Sequence, residues 1–366
     1  MKILLDNIIY SKVKNGGVSN YWFELSKYVL NQPQDQVKFF EEKDDLSNFH
    51  RQLLAIPQDH IIPYHSKVPF LSRRLPIYYE SNEKLIYHSS YYRGLSGAKN
   101  KIEVTTVYDF IHDYYSSFLK KAIHNNLKYS AIKRSKGVIC ISKNTYSDLQ
   151  KFCPTRKNQK AEVIYVGVSD DYFPTSNLDG PQKQFLTNHH LENGFLLFVG
   201  GRTNYKNFDF VASVINENKD LKLVVVGGGM LNENEVKLFT KEAFSRVVFI
   251  GSVKNEELNI LFNHALALLY PSSYEGFGIP VVEAMRAGCP VIGLNNATIR
   301  EVAEDSALLL DYLDIKDFSH QKQKLMNATF RSETIAKGLL ESQKYSWEKS
   351  SRETYEFYTD LYDSSL

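Results

Sequence analysis

Cysteine is scarce in this 366-residue chain: Cys140, Cys153 and Cys289 stand far apart. An odd, scattered set excludes a disulfide framework and offers no metal-ligand spacing, which points to a reducing compartment. Long apolar runs are missing as well. The N-terminal KILLD stretch is broken by Asp6, too short and polar for a signal peptide, and nothing approaches the ~18 uninterrupted apolar residues of a membrane span. The expectation is a protein that is soluble or only peripheral to a membrane. Proline (11) and glycine (19) are few, and with 43% hydrophobic and 23% charged residues the chain can bury enough apolar surface to offset its ordering entropy. Global disorder is thereby excluded. No charge of either sign dominates, since the net charge is +2, and basic residues do not interleave with aromatics in a stripe. Nucleic acid is therefore not an expected partner.

The near-neutral total hides an asymmetry. Residues 1–180 hold 25 Lys+Arg against 18 Asp+Glu, and the remainder 19 against 24, so the halves carry +7 and −5. A basic half suits a membrane surface or an anionic acceptor, and it equally suits plain solvation. At 366 residues the chain exceeds the size of one hydrophobic core, so two domains are expected. Short apolar runs alternate with helical patterns: KILLD, LIYH (85–88), IEVTTV (102–107), GVICIS (137–142) and EVIYV (162–166), then FLLFVG (195–200), LKLVVVG (221–227), RVVFIG (246–251), LALLYP (266–271) and CPVIG (289–293). This alternation predicts an α/β protein with two largely parallel sheets. The Pro-, Gly- and Asn-rich segment 174–194 is read as the linker, giving domains 1–180 and 181–344. A polar helical tail, 331–363 with Trp347, is expected to cross back so that 345–366 packs on the first domain.

The most informative stretch is PSSYEGFGIPVVEAMRAGCPVIG (271–293). A strand ends at Pro271, a glycine turn follows, and Pro280 suits the first turn of a helix because its missing N–H would be unpaired there anyway. The amides from Gly276 through Phe277, Gly278 and Ile279, with the helix dipole behind them, favour an anion or a cluster of hydroxyls. Glu275 in the turn and Glu283 in the first helical turn would face one crevice. A carboxylate beside such an anion site needs hydroxyls to accept. The pair fits a sugar-bearing nucleotide, Glu283 on the ribose diol and Glu275 on the transferred sugar; the plain alternative is a solvated turn residue and a dipole partner.

This arrangement, with Gly288, Cys289 and Pro290 behind it, resembles the Glu-x7-Glu signature of retaining glycosyltransferases of family four, which have the GT-B fold. The resemblance extends over most of the chain. GGVSNYWFEL (16–25) is similar to the family's N-terminal glycine loop and helix, HSSYYR (88–93) and TTVYDFIHD (105–113) to its middle motifs, and ISKNTYSDL (141–149) with VIYVGV (163–168) to the segments before its linker. FVGGRTNYKNF (198–208) resembles the loop that supplies an Arg and a Lys to the donor pyrophosphate, here Arg202 and Lys206. Two cations can offset that charge and stabilise it as a leaving group without a metal. GSVKNEEL (251–258) resembles the segment touching the nucleotide base, near Val253, and Gly16 and Gly17 correspond to the loop that approaches the donor phosphate. Asn20 departs from the family's Arg, and Tyr108-Asp109 from its His-Asp. Asp109 is the candidate to orient the acceptor hydroxyl or act as a weak base, and His112 the candidate to touch the donor sugar; turn and cap roles are the alternatives. His88 reads as a satisfied core histidine. LVVVGGGM (223–230) is not a G-x-G-x-x-G fingerprint and is read as a strand-end turn. ATIREVAEDSALLLD (297–311) resembles the helix that follows the donor site, with Glu301 in a structural role.

The resemblance implies two Rossmann-like domains facing a central cleft, the first for the acceptor and the second for the nucleotide sugar. It implies a hexosyltransferase with retention of anomeric configuration, with no cofactor and no metal. Bacterial polysaccharide mannosyltransferases look nearest in motif pattern, which makes GDP-mannose the leading donor, a glycan or lipid-linked glycan the acceptor, and the inner face of the cytoplasmic membrane the place. KYSAIKRSK (128–136) is the basic segment considered for peripheral membrane contact. The rivals are a UDP- or dTDP-sugar donor, a phosphorylase-like or epimerase-like use of the same fold, and a catalytically silent sugar-nucleotide-binding scaffold.

Overall fold

The computed structural model describes residues 1–42, 47–64, 74–175, 177–191 and 194–364, with backbone only over 118–124. The chain divides into two compact units, Met1–Gly167 with Tyr345–Leu366, and Val168–Lys344. In the first unit the strands are β1 (Lys2–Asp6), β2 (Gln36–Glu42), β3 (Ile61–Tyr64), β4 (Ile77–Ser81), β5 (Leu85–Ser89), β6 (Leu95–Ala98), β7 (Lys101–Val107), β8 (Gly137–Cys140) and β9 (Lys160–Val163). Seven of them form one parallel sheet, ordered β3-β2-β1-β5-β7-β8-β9, while β4 and β6 pair separately. The order reverses between β1 and β5. In open parallel sheets ligands collect outside the carboxyl ends of the strands at such a reversal.

The second unit repeats the plan with β10 (Leu196–Val199), β11 (Leu223–Val226), β12 (Val247–Ile250), β13 (Ala267–Tyr270), β14 (Val291–Leu294) and β15 (Ala307–Leu310). All six are parallel in the order β12-β11-β10-β13-β14-β15, reversing between β10 and β13. Helices cover both faces, so the strands read as unbroken apolar runs, and LVVV of β11 is wholly buried. Its core joins Phe198, Val211, Ile215, Leu223, Val225 and Leu269. Burial of such side chains contributes about 1.5–3 kcal/mol each.

Several expectations are corrected. The 174–194 segment is not plain linker: Gly180–Asn188 is a helix, capped because Asp179 accepts from Gln182 N at 2.8 Å while the Gln182 side chain accepts from Asp179 N at 3.1 Å. Ser176, Glu192 and Asn193 of that segment lie outside the described residues. The division between units falls upstream of it, at Gly167/Val168, because Phe173 N and Thr175 N donate to Asn259 and Asn263 on helix Asn255–His264. Residues 297–311 are not one helix but helix Ala297–Ala303 followed by β15. Glu304 ends that helix at φ +43°, and ALLL then joins the sheet beside β14. The tail is two helices, Ala328–Ser342 and Trp347–Ser364. KYSAIKRSK does not present one basic face, since the Lys128 side chain is fully buried against Asp113 at 2.7 Å.

Helix Trp347–Ser364 belongs to the first unit and docks on helix Gly17–Leu30. Tyr358 hydrogen-bonds His88 Nδ1 at 2.5 Å, and Thr106 meets His88 Nε2 at 3.1 Å. Burial lowers the His88 pKa to about 3, so this imidazole is a neutral core group with both nitrogens engaged. Where the tail returns, Gly167 lies so close to Trp347 that an added Cβ would sit 2.2 Å from its backbone nitrogen. Backbone cannot move aside as a side chain can. Gly167→Ala is therefore expected to destabilise the protein by roughly 1–3 kcal/mol, read as a lower Tm in a thermal melt; an unchanged Tm would contradict this packing.

Candidate functional site

The loops that leave the carboxyl ends of β10, β11, β12 and β13 carry most of the expected donor-side residues, on one edge of one sheet. After β10 the chain runs through Gly200 and Arg202 to a short turn, Asn204–Lys206, and then Asn207 at φ +50°. Asn207 ties this loop to the one after β13: its side-chain amide donates to Pro271 O at 2.7 Å and Ser273 Oγ at 2.8 Å. Ser273 N donates in turn to Tyr205 O at 2.7 Å. The two loops that flank the sheet reversal are thus stitched into one piece.

That stitching brings Lys206 to Glu275. Their Nζ and Oε1 atoms are 2.7 Å apart, with the side chains only 13% and 11% exposed. The Lys206 ammonium also lies 5.4 Å from the Tyr270 ring centroid and 5.7 Å from that of Tyr205, contacts that favour the cation. Thr298 Oγ1 donates to Glu275 O at 2.7 Å. Burial and the neighbouring Glu275 carboxylate hold the Tyr270 phenol far above its usual pKa, so it stays a hydrogen-bond donor. An ammonium has three donors; the carboxylate takes one, leaving Lys206 able to serve a second anion on the same edge.

Gly276, Phe277 and Gly278 are buried in the turn. Gly278 adopts φ +88°, a left-handed conformation suited to glycine, and helix Ile279–Arg286 starts there with no side-chain cap. Glu283 stands on this helix close enough to Tyr172 for the two to interact electrostatically, while the Tyr172 hydroxyl donates to Asn255 Oδ1 at 3.3 Å. Glu283 keeps a small exposed surface, yet burial raises its carboxyl to about 7 despite Tyr172, which favours the ionised form. Val253 lies between β12 and helix Asn255–His264, on the same sheet edge.

Arg202 is placed differently from Lys206. Its Nε donates to Glu235 at 2.9 Å, Nη1 to Gly227 O at 2.9 Å, and Nη2 to the carbonyls of Gly228, Gly229 and Met230 at 3.1, 2.9 and 3.1 Å. Gly227, Gly228 and Gly229 all have φ between +74° and +84°, so the triglycine turn aims its carbonyls at one guanidinium. Glu235 is fixed by the capping box of helix Glu233–Val236. In this structure Arg202 acts as the clamp of the turn after β11. Arg202→Ala is expected to cost about 2 kcal/mol, the loss of hydrogen bonds to a charged group, and to speed amide exchange over Gly227–Met230; unchanged exchange would rule the clamp out.

The remaining expected residues lie in the first unit. Gly16, at φ +149°, precedes helix Gly17–Leu30, and both glycines are exposed. Asp109 follows β7, accepting from Ile111 N at 3.0 Å, and His112 Nδ1 contacts Ser116 Oγ at 2.6 Å. Below them Lys128 pairs with Asp113, lies 3.9 Å from the Phe110 ring centroid and donates to Asp109 O at 3.2 Å. Helix Gly17–Leu30 and the end of β7 are joined by Tyr21 and Thr106 at 3.1 Å, so Gly16, Gly17, Asp109 and His112 share the carboxyl-end side of that sheet. Sequence reading missed Tyr172, Asn207, Glu235, Tyr270 and Thr298. Asn207 alone carried a local signal, as an asparagine opening a helix after a turn.

With this geometry in hand, the comparisons are specific. The family model described as glycosyl transferases group 1 matches residues 181–339, which span β10 to β15 and the loops after β10, β11, β12 and β13. Residues 181–339 are a glycosyl transferases group 1 domain. Among curated relatives, the chain is similar to O-antigen chain mannosyltransferase B of Escherichia coli, 37% identical over 120 residues, covering 32% of this chain and 31% of that protein. It is also similar to O-antigen chain mannosyltransferase RfbU of Salmonella typhimurium, 30% identical over 223 residues, covering 59% and 58%. The matches thus span about a third and somewhat over half of those relatives' own length. Among solved structures, sucrose-phosphate synthase from Thermosynechococcus elongatus aligns at a TM-score of 0.75 and 17% identity, over 99% of both chains. That likeness shows the GT-B fold. Within the group 1 domain, Lys206, Glu275 and Val253 lie on loops at the carboxyl edge of the sheet, whereas Arg202 turns to the triglycine loop and Glu283 stands past the first turn of its helix rather than within it, as the fifth residue of Ile279–Arg286.

Proposed function

We propose that the chain is a retaining glycosyltransferase that moves a hexose, mannose from GDP-mannose being the leading assignment, onto a hydroxyl of a glycan or lipid-linked glycan in bacterial surface polysaccharide assembly. The observation that carries the reading is the joining of the β10 and β13 loops, which sets Lys206 against Glu275 at 2.7 Å where the strand order reverses. The mannosyltransferase names of the relatives support the sugar. In the proposed reaction the anomeric C1–O bond to the diphosphate breaks, and the nucleoside diphosphate leaves with the electron pair. The acceptor oxygen bonds C1, and its proton passes to the departing phosphate. Lys206 offsets charge on that phosphate as it develops, with no metal in the scheme; Glu283 accepts from the ribose diol, and Glu275 addresses the transferred sugar. Asp109 and His112 are assigned to the acceptor hydroxyl and the donor sugar, Gly16 and Gly17 to the phosphate side, and Val253 to the base.

The test is turnover of GDP-mannose by the purified full chain with lipid-linked and free glycan acceptors, with product configuration read by NMR and a chelator arm included. Transfer with an α-linked product, undiminished by chelator, is the expected result. Hydrolysis or transfer from UDP- or dTDP-sugars alone would reassign the donor. Binding of a nucleotide sugar without turnover on any acceptor would favour a silent scaffold.

A further inference from the structure

We propose that the first unit carries a second ligand site, a groove for an organic phosphate, built between the β6 strand and the C-terminal half of helix Phe118–Arg134. The cavity measures about 610 Å³, within the range of small-molecule sites. Its apolar lining comes from Pro76, Leu95 and Leu127, and two arginines, Arg74 and Arg134, line it together with Ser130 and Asn126.

Arg134 is set in place. Its Nη1 donates to Ser130 Oγ at 2.8 Å, Nη2 to Tyr92 O at 3.2 Å, and Nε to Glu103 at 3.2 Å. The guanidinium lies against Gly94, where an added Cβ would stand 3.1 Å from Nε and Nη2, so a side chain at that position would push it by a few tenths of an ångström. Tyr92, whose carbonyl holds the arginine, sits at φ +61°, a left-handed conformation that bulky residues adopt only when the surroundings impose it. Glu103 does not cancel this charge, because Lys101 shares the same carboxylate at 2.9 Å. Arg74 lines the groove and is exposed, and among the described residues it enters no ion pair.

A neutral sugar gains little from two guanidinium groups lining a partly apolar groove. A phosphate gains from both, since planar guanidiniums bind its oxygens through paired charge-assisted hydrogen bonds, and the apolar lining accepts whatever carbon skeleton the phosphate bears. A sugar phosphate and a phospholipid headgroup share this chemistry. The groove stands apart from the Lys206 and Glu275 loops in the chain, and its assignment does not depend on the transfer reaction.

The experiment is calorimetry on the full chain with glucose 1-phosphate and decyl phosphate, against methyl glucoside and decyl glucoside as uncharged controls. Vesicles of phosphatidylcholine with and without phosphatidic acid form a separate arm. The variants are Arg74→Glu, on an exposed side chain, and Asn126→Trp, which fills the groove from its exposed wall; thermal melts confirm that both fold. Saturable binding of a phosphate probe that weakens at least tenfold in both variants, persists in Lys206→Met and is not displaced by GDP supports the site. Binding of glucose 1-phosphate alone assigns a soluble ligand, and binding only to phosphatidic acid vesicles assigns a lipid headgroup. Equal binding by wild type and Arg74→Glu, displacement by GDP, or no phosphate binding in either arm would overturn the proposal.

Discussion

Lys206→Met is expected to lower turnover by about two to three orders of magnitude, the usual loss when one preorganised charge is removed from a site where negative charge develops. The ammonium is fixed by Glu275 at 2.7 Å and flanked by the Tyr205 and Tyr270 rings, so it cannot be replaced by a cation on a mobile chain. Methionine keeps the length and apolar contact of the stem but leaves Glu275 without its ammonium. The Tm should therefore fall modestly while kcat collapses. Glu275→Gln separates the two roles, since its amide oxygen still accepts from Lys206. Turnover that survives Lys206→Met within tenfold would remove Lys206 from the chemistry.

The second large effect concerns pH. Glu283 has a carboxyl raised by burial to about 7, above the 4.5 of an unburied glutamate, so its folded-state proton is retained where the unfolded chain has lost it. The free protein thus loses stability as pH rises from about 4.5 through 7, the direction for a carboxyl with a raised folded pKa. A diol that donates to this carboxylate binds the ionised form. Donor affinity is expected to fall about tenfold per pH unit below 7 and to level off above it. Glu283→Gln should bind weakly at every pH, with a flat profile between pH 5.5 and 8. Titration calorimetry with GDP-mannose at four pH values reads both; a wild-type profile as flat as the variant's would separate Glu283 from the donor.

What could be read from the sequence follows from how strongly each segment announces itself. Parallel strands buried on both faces are apolar throughout, so LVVV and ALLY stood out, while QVKFFEE of β2 and the short β4 and β6 alternate or mix polarity and did not. ALLL of β15 was absorbed into the preceding helical pattern because only the short turn Glu304–Ser306 separates them. Within the site, residues on one loop were legible together: Glu275 and Glu283 share a turn and its helix. The Arg202 clamp was not, because its partners lie 25 to 33 residues away on another strand's loop, and nothing local shows that three glycines will turn their carbonyls toward it. Tyr172 was invisible for the same reason, facing Glu283 from a segment that reads as an approach to a linker.

In the proposed function the loops after β10 and β13, with helix Ile279–Arg286, hold a nucleotide sugar. The most direct test is a thermal-shift panel of GDP-, UDP- and dTDP-sugars on wild type and Glu283→Ala at pH 8, because a ligand that binds the folded state raises its apparent stability. One nucleotide series, with GDP-sugars the expected one, should raise the wild-type Tm in a concentration-dependent way, and Glu283→Ala should lose the response. A folded wild-type protein indifferent to all three series would contradict the proposed function.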